Sequence, residues 1–220
     1  MDETTGMIAN EDVKKGKVEK RYYLNTRKGL SMTLKIALLS ALAFGLMYLE
    51  FPLSFLFPPW LKFDFGDIPA LLGAFAFGPW AGVVIEAIKN ALFLWLRNSG
   101  TAGIGELANF LLGVSLVLPA SIYYYWKKNK ATAALSIGAG IVLMTVMSGV
   151  LNMYLLIPAY SNFMPIEAII GACKAINPAV DSVQTYVLYM AMPFTLIKAF
   201  IEGLVTFLVY KRLSGVMHKF

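Results

Sequence analysis

Long apolar segments recur along this chain, and each has about the length of one bilayer crossing. They comprise residues 31–48, 80–96, 105–126, 131–157 and 184–210. A helix needs about 20 predominantly apolar residues to cross the hydrocarbon core, and its internal hydrogen bonds satisfy the backbone there. With 58% hydrophobic and 15% charged residues, the chain is too apolar for a soluble domain, in which about a quarter of the residues are charged. The segments therefore predict an all-α integral membrane protein.

A sixth apolar segment, residues 68–77, is too short to cross the bilayer alone and upright, and a Gly-Pro pair at 78–79 ends it. Counting this segment, we predict six transmembrane helices in one domain, residues 30–212, followed by a cytoplasmic tail at 213–220. Residues 1–29 are polar and mixed in charge, without the apolar core of a secretory signal peptide. We expect them to form a cytoplasmic N-terminal segment.

The distribution of basic residues predicts the orientation in the membrane. With the N terminus inside, fourteen lysines and arginines lie at the start of the first span, after the fourth helix and after the last helix, whereas three lie in the opposite loops. An excess of lysine and arginine marks cytoplasmic loops, so both termini are predicted to be cytoplasmic. The net charge of +6 has the same origin, because the basic residues flank apolar spans. It indicates a lipid bilayer, not a nucleic acid, as the partner.

The scarcity of cysteine and histidine excludes several kinds of site. Cys173 and His218 are the single residues of their types, which is too few for a disulfide framework or a typical zinc site. The sequence also contains no GxxxxGK[ST] phosphate-binding loop, so we expect no ATP hydrolysis by this chain. We predict a protein that is not an enzyme and has no catalytic residues, metal or resident cofactor.

Polar side chains are embedded in the apolar segments, mostly toward the outer ends of the predicted helices. They are Lys89 and Asn90 in the third helix, Glu106 and Asn109 in the fourth, Asn152 in the fifth, and Thr195 and Lys198 in the sixth. The preceding outer loop adds rings and carboxylates, namely Phe55, Phe57, Trp60, Phe63, Asp64, Phe65 and Asp67. Apolar pockets with a few convergent polar groups are typical small-molecule sites. Rings that stack and polar groups that read edges favour a flat heterocycle carrying hydroxyls.

The same residues allow other interpretations. Glu86 and Lys89 are three apart, and Lys198 and Glu202 are four apart, so each pair could form an intrahelical ion pair that lowers the cost of burial. An intramembrane enzyme would use Glu86, Glu106 and Glu202 as catalytic acids. An ion-coupled secondary carrier would use Glu86 and Lys89.

Small residues repeat at four-residue spacing along the first helix. Ala37, Ala41 and Gly45 form this pattern, and small residues at such spacing let another helix approach closely. The partner helix could belong to this chain or to another subunit.

Four segments together resemble the riboflavin-specific substrate-binding components (RibU type) of energy-coupling factor transporters. They are EFPLSFLFPPWLKFDFGDIPALLGAFAFGPWAGVVIEAIKN, GIGELANFLLG, NMYLLIPAY and MPFTLIKAF, and the resemblance covers about residues 30–210. It implies the six-helix fold of these components, with a vitamin site on the external side that the first outer loop gates. It also implies a cytoplasmic side that docks on a transmembrane coupling protein with two ATPases, in the plasma membrane of a prokaryote.

The resemblance assigns roles to particular residues. Asn152 and Lys198 match positions expected to hydrogen-bond the flavin, and Thr195 stands where family members often have asparagine. Ala37 and Ala41 match alanines of the docking surface, with Gly45 one turn further. The full set of predicted ligand contacts is Trp60, Asp64, Lys89, Glu106, Asn109, Asn152, Tyr154, Thr195 and Lys198. The predicted function is high-affinity capture of riboflavin for inward delivery, with the same fold serving a different vitamin as the alternative within the family.

Overall fold

The computed structural model describes residues 30–97, 101–126, 129–162 and 164–217. The chain divides into two units, Met1–Leu38 and Leu39–Phe220. The predicted cytoplasmic segment 1–29 and the end of the predicted tail, residues 218–220, lie outside the described residues. Of the first unit, residues 30–38 are described, and they form the first half of a helix.

The described residues are mostly helical. The helices are α1 (Leu30–Tyr48), α2 (Asp67–Phe77), α3 (Pro79–Leu96), α4 (Ile104–Trp126), α5 (Lys130–Leu151), α6 (Ile157–Tyr160), α7 (Ile166–Ile176), α8 (Val183–Tyr186) and α9 (Met192–Met217). Five-residue π-helical turns join α5 to α6 (Asn152–Leu156) and α8 to α9 (Val187–Ala191).

The apolar segments predicted from the sequence are helices of spanning length. Five of them are long and apolar enough to cross a membrane, and α2 is a shorter apolar helix. The protein is therefore a multi-pass membrane protein. The number of crossings and the side of the termini stay predictions. Helix α9 continues to Met217, past the predicted domain end at residue 212, so most of the predicted tail is helical.

The Gly-Pro pair separates α2 from α3, as predicted. Gly78 has a φ of +108°, a conformation that glycine adopts without the steric penalty of a side chain, and its N–H donates to the Ala74 carbonyl at 3.0 Å. Pro79 then opens α3, where its missing N–H costs nothing. The break leaves α2 packed against both α3 and α4, and most of its side chains are buried.

Two elements were not predicted. In the α1–α2 loop (residues 49–66), Phe51–Pro52 pairs antiparallel with Lys62–Phe63. Between α6 and α8, α7 forms an amphipathic helix of 11 residues. Ile169 and Cys173, one turn apart, give it a buried face.

Candidate functional site

One cavity lies where several helices end on the same side of the second unit. Its volume is about 230 Å³, and its wall comes from the C-terminal ends of α1, α3 and α5, the π-helical turn and α6 that follow α5, the N-terminal ends of α4 and α9, and the α1–α2 loop. Four aromatic residues line it (Trp60, Phe93, Tyr160 and Phe194), together with polar residues from the α1–α2 loop, α4, α5, the π-helical turn and α9. Polar groups remote in sequence thus converge on one mixed aromatic and polar cavity.

Seven of the nine predicted ligand contacts line this cavity. They are Trp60, Asp64, Glu106, Asn109, Asn152, Thr195 and Lys198. Lys89 and Tyr154 are not in its wall. Most of the polar residues selected from the sequence by their shared depth therefore lie in the wall of this cavity.

Lys198 reaches the α1–α2 loop from α9. Its Nζ lies 2.6 Å from Asp64 Oδ2 and 3.8 Å from Asp67 Oδ2. The Lys198 side chain is 6% exposed, and Asp64 Oδ1 also accepts the Gly66 N–H at 2.7 Å. The alternative in which Lys198 pairs with Glu202 of its own helix is not what the structure shows, because the Glu202 carboxylate has no hydrogen-bonding partner among the described residues. The ammonium instead links α9 to the loop that covers the cavity.

Lys89 lies in a buried ion cluster with Asp67 and Glu86, in line with the structural interpretation of Glu86 and Lys89, and Asp67 also connects this cluster to Lys198. The Lys89 Nζ contacts Asp67 Oδ1 and lies 2.7 Å from Glu86 Oε2, and all three side chains are fully buried. Gly113 makes room for this group, since a Cβ there would collide with the Glu86 carboxyl. Lys89 therefore has a structural role, in which its ion pairs hold α2 against α3.

Tyr154 lies on the outside of the π-helical turn. It is 74% exposed, whereas Asn152, Leu156 and Tyr160 line the cavity at steps of four residues. A residue two positions from Asn152 lies on nearly the opposite side of a helix. The tyrosine of NMYLLIPAY that faces the cavity is thus Tyr160, which the sequence analysis did not select.

A chain of hydrogen bonds joins the α1–α2 loop to α5 and α9. Trp60 Nε1 donates to Tyr186 Oη at 3.2 Å, and Tyr186 Oη donates to Asn152 Oδ1 at 3.3 Å. Asn152 Nδ2 donates to the Ser148 carbonyl at 2.9 Å, and the hydroxyls of Ser148 and Thr195 lie 2.7 Å apart. Ser148 was missed from the sequence because serine hydroxyls within apolar helices usually bond to their own backbone. Tyr186 was missed because tyrosine near the end of a span is also common at the membrane interface.

A second group of hydrogen-bonded side chains lies around Asn109 of α4, which also lines the cavity. Its Nδ2 donates to Asn90 Oδ1 at 3.1 Å, and Asn90 Nδ2 donates in turn to the Glu86 carbonyl at 2.9 Å. Glu106 lies one turn before Asn109 and is 4% exposed, with Thr101 Oγ1 at 3.4 Å from its Oε2. The α4 side of the cavity therefore presents carboxylate and amide oxygens, which accept hydrogen bonds.

Aromatic and aliphatic side chains form a cover over the α9 side of the cavity. Phe57 of the α1–α2 loop packs edge-on against Phe194, with ring centroids 5.2 Å apart. Ile169 and Cys173 of α7 belong to the same buried cluster as Tyr186. Burial raises the pKa of the Cys173 thiol to about 11, which suits a packing role. Phe55 is 76% exposed, so only some of the loop aromatics belong to the cover.

Charged residues at the rim of the cavity form ion pairs of their own. Lys62 Nζ lies 2.6 Å from Glu50 Oε1, and the Arg97 guanidinium lies 3.4 Å from the same oxygen and over the Tyr48 ring. These contacts connect the end of α1 to the end of α3 and to the α1–α2 loop.

The three small residues of α1 are exposed in the structure. Ala37 belongs to the first unit, and Ala41 and Gly45 belong to the second. Among the described residues, no atom other than those of its chain neighbours and the adjacent backbone of α1 lies within 4 Å of the position that a Gly45 Cβ would take. The described part of α1 therefore leaves these positions accessible.

Comparisons with known proteins agree with this architecture. Residues 31–210 match the family model described as "ECF transporter, substrate-specific component". The chain is 35% identical over 204 residues to "Riboflavin transporter RibU" of Staphylococcus aureus (strain TCH60), covering 89% of this chain and 100% of that protein. It is 33% identical over 181 residues to "Riboflavin transporter FmnP" of Bacillus subtilis (strain 168), covering 81% and 90%.

A solved structure described as the S component of a bacterial ECF transporter has the same fold, with a TM-score of 0.68 and 32% identity. The superposition covers 85% of this chain and 97% of that one. The family match spans nearly all of the described helices. This chain therefore belongs to the family of substrate-specific components of ECF transporters.

Proposed function

We propose that this chain is the riboflavin-binding subunit of an energy-coupling factor transporter in the plasma membrane of a prokaryote. It captures riboflavin from the external side and delivers it inward when it is assembled with a transmembrane coupling protein and two ATPases. The observation that carries the proposal is the cavity in which Asn152 and Lys198, from different helices, meet Trp60 of the α1–α2 loop. The names of its relatives support the choice of vitamin.

The wall of the cavity has the chemistry that a flavin needs. Riboflavin combines a flat ring system, whose carbonyls and ring nitrogens accept hydrogen bonds, with a chain of hydroxyls. The Lys198 ammonium and the Asn152 amide N–H supply donors, while Glu106 supplies a carboxylate that accepts from hydroxyls. Trp60, Tyr160, Phe93 and Phe194 supply ring surfaces against which the heterocycle stacks.

Energy for transport comes from the partners in this proposal. The sequence contains no phosphate-binding loop of the GxxxxGK[ST] type, so ATP is hydrolysed by the two ATPase subunits. The exposed small residues Ala37, Ala41 and Gly45 give the coupling protein a surface that its helices can approach closely. Both termini of the chain face the cytoplasm, in keeping with its fourteen basic residues on that side.

Binding to the purified protein tests the proposal directly. The detergent-purified chain is titrated into riboflavin while the flavin fluorescence is recorded. The visible absorbance of the protein before riboflavin is added shows whether it was purified with flavin already bound. The expected result is saturable quenching with one flavin per chain, and extraction should return the flavin chemically intact. If the folded protein does not bind riboflavin but binds another vitamin, the riboflavin assignment is wrong and the chain is a substrate-binding component for that other vitamin. Uptake into liposomes by this chain alone, driven by an ion gradient, would replace it with a secondary carrier.

A further inference from the structure

We infer that Tyr186 is a positioning residue that, together with the Ser148 carbonyl, holds the Asn152 amide in the orientation in which it faces the ligand. Tyr186 is not in the wall of the cavity and is 1% exposed. It lies between Trp60 and Asn152 and touches both through its hydroxyl. The inference rests on the proposed function, and it adds a residue that acts on the flavin through another side chain.

The chemistry of tryptophan fixes the direction of this hydrogen-bond chain. The indole N–H can only donate, so the Tyr186 oxygen accepts from Trp60 and its single proton points onward to Asn152 Oδ1. The amide oxygen is thereby occupied, and one amide N–H is bonded to the Ser148 carbonyl. Beyond that bond, Nδ2 has only a 3.4 Å contact with Ser148 Oγ, which is longer than a normal N–H···O hydrogen bond, so the second amide N–H can still donate to a ligand acceptor in the cavity.

This arrangement determines what Asn152 can recognise. An asparagine that is free to rotate by 180° about its last bond can present either a donor or an acceptor, because its oxygen and nitrogen have nearly the same shape. With Tyr186 donating to the oxygen and the Ser148 carbonyl accepting from the nitrogen, the residue presents a donor only. The ligand group that contacts it must then be an acceptor, such as a ring carbonyl or an unprotonated ring nitrogen.

The role extends to the α1–α2 loop through Trp60. If Trp60 leaves the Tyr186 hydroxyl, that hydroxyl is free to rotate away from Asn152 Oδ1, and the amide is then held only by its bond to the Ser148 carbonyl. The amide is therefore held at both its oxygen and its nitrogen while the loop covers the cavity. Buried hydrogen-bond chains of this kind act as a unit, and double-variant cycles are the means of separating their members.

The test is a cycle of Tyr186→Phe and Asn152→Ala, with riboflavin dissociation constants measured by fluorescence quenching. Phenylalanine keeps the ring and removes one oxygen. We expect Tyr186→Phe to weaken binding about tenfold, the size of one buried hydrogen bond. If Tyr186 acts through Asn152, the double variant binds within about twofold of Asn152→Ala alone. Additive effects of the two changes, or unchanged binding by Tyr186→Phe, would overturn the inference.

Tyr124→Phe is the matched control. Tyr124 is also a buried tyrosine whose hydroxyl pairs with another side chain, that of Tyr210, but it is not in the wall of the cavity. Its removal should leave riboflavin affinity unchanged in both the wild-type and the Asn152→Ala backgrounds. Comparable loss in Tyr124→Phe would mean that removing any buried hydroxyl disturbs binding, and the assignment to Tyr186 would fall.

A second variant keeps the test independent of folding in Tyr186→Phe. Asn152→Asp keeps the shape of the side chain but replaces the amide donor with an acceptor. With Tyr186 donating to one oxygen, the other faces the ligand acceptor, so Asn152→Asp should bind riboflavin more weakly than Asn152→Ala. Equal or tighter binding would contradict the donor orientation. Failure of the wild-type chain to bind riboflavin would instead contradict the proposed function.

Discussion

Replacing Lys198 with methionine separates the two jobs that this lysine performs, one for stability and one for the ligand. Methionine keeps most of the side-chain volume and removes the charge. Without the ammonium, Asp64 loses the partner that lies 2.6 Å from its Oδ2, while Asp67 keeps its contact with Lys89. Removing one member of a buried ion pair costs about 3–5 kcal/mol, so the single variant should unfold at a midpoint roughly 6–20 °C lower.

The double variant Lys198→Met/Asp64→Asn should recover most of this stability. The asparagine no longer needs a counter-charge, and its Oδ1 can still accept the Gly66 N–H that Asp64 accepts at 2.7 Å. Replacement of both members of a buried pair is often close to neutral. Thermal unfolding without ligand, in one detergent and at one protein concentration, measures the recovery.

Riboflavin binding should not recover in the same double variant. Compared with Asp64→Asn alone, the double variant lacks only the lysine, so the ratio of their dissociation constants isolates the contact of Lys198 with the flavin. One lost hydrogen bond from a charged donor is worth about 1–3 kcal/mol, which is roughly a five- to 150-fold weaker affinity. If the two variants bind equally, Lys198 is only a structural residue. If the double variant is as unstable as Lys198→Met, the pair with Asp64 does not explain the lysine's burial.

Three further predictions concern other parts of the molecule. Asn152→Ala should weaken riboflavin binding by about 1–3 kcal/mol in a fluorescence titration, and unchanged affinity in a folded variant would exclude the contact. Ala41→Phe should leave riboflavin binding intact but abolish uptake by the assembled transporter, because α1 no longer packs closely against the coupling protein; lost binding would place Ala41 in this chain's own packing. Native Cys173 should resist iodoacetamide at pH 8, since its pKa of about 11 leaves about one thiolate in a thousand, and rapid labelling would mean that α7 opens.

The membrane helices could be predicted from sequence because lipid imposes a length and an apolar composition on each of them. The start of α3 illustrates the accuracy: residue 80 was predicted, and the helix begins at Pro79. Helix α7 lacks that constraint. It lies outside the apolar spans, and its burial depends on a cluster formed by the α1–α2 loop and the start of the last span. A short segment of this kind has no length requirement that sequence reasoning can use.

The residues of the candidate site also fall into those that the sequence predicted and those that it did not. Lys198 and Asn152 stood out because charged and amide groups are rare within apolar spans. The partner of Lys198, however, is Asp64, which is 134 residues away, and the nearer Glu202 was an equally good candidate from spacing alone. Tyr186 gave no signal, since tyrosine near the end of a span is also common at the membrane interface. Pairing between distant segments is thus what the sequence leaves undetermined.

The two π-helical turns give this protein a way to alter its site by length. A π turn holds one residue more than the α turn it replaces. Losing a single residue at Asn152–Leu156 or Val187–Ala191 therefore restores an α turn and shifts side chains by about 100° inside it, while the long helices on either side keep their positions. We expect single-codon deletions at the first of these points, where Asn152 and Leu156 line the cavity, to change the ligand preference in descendants of this chain.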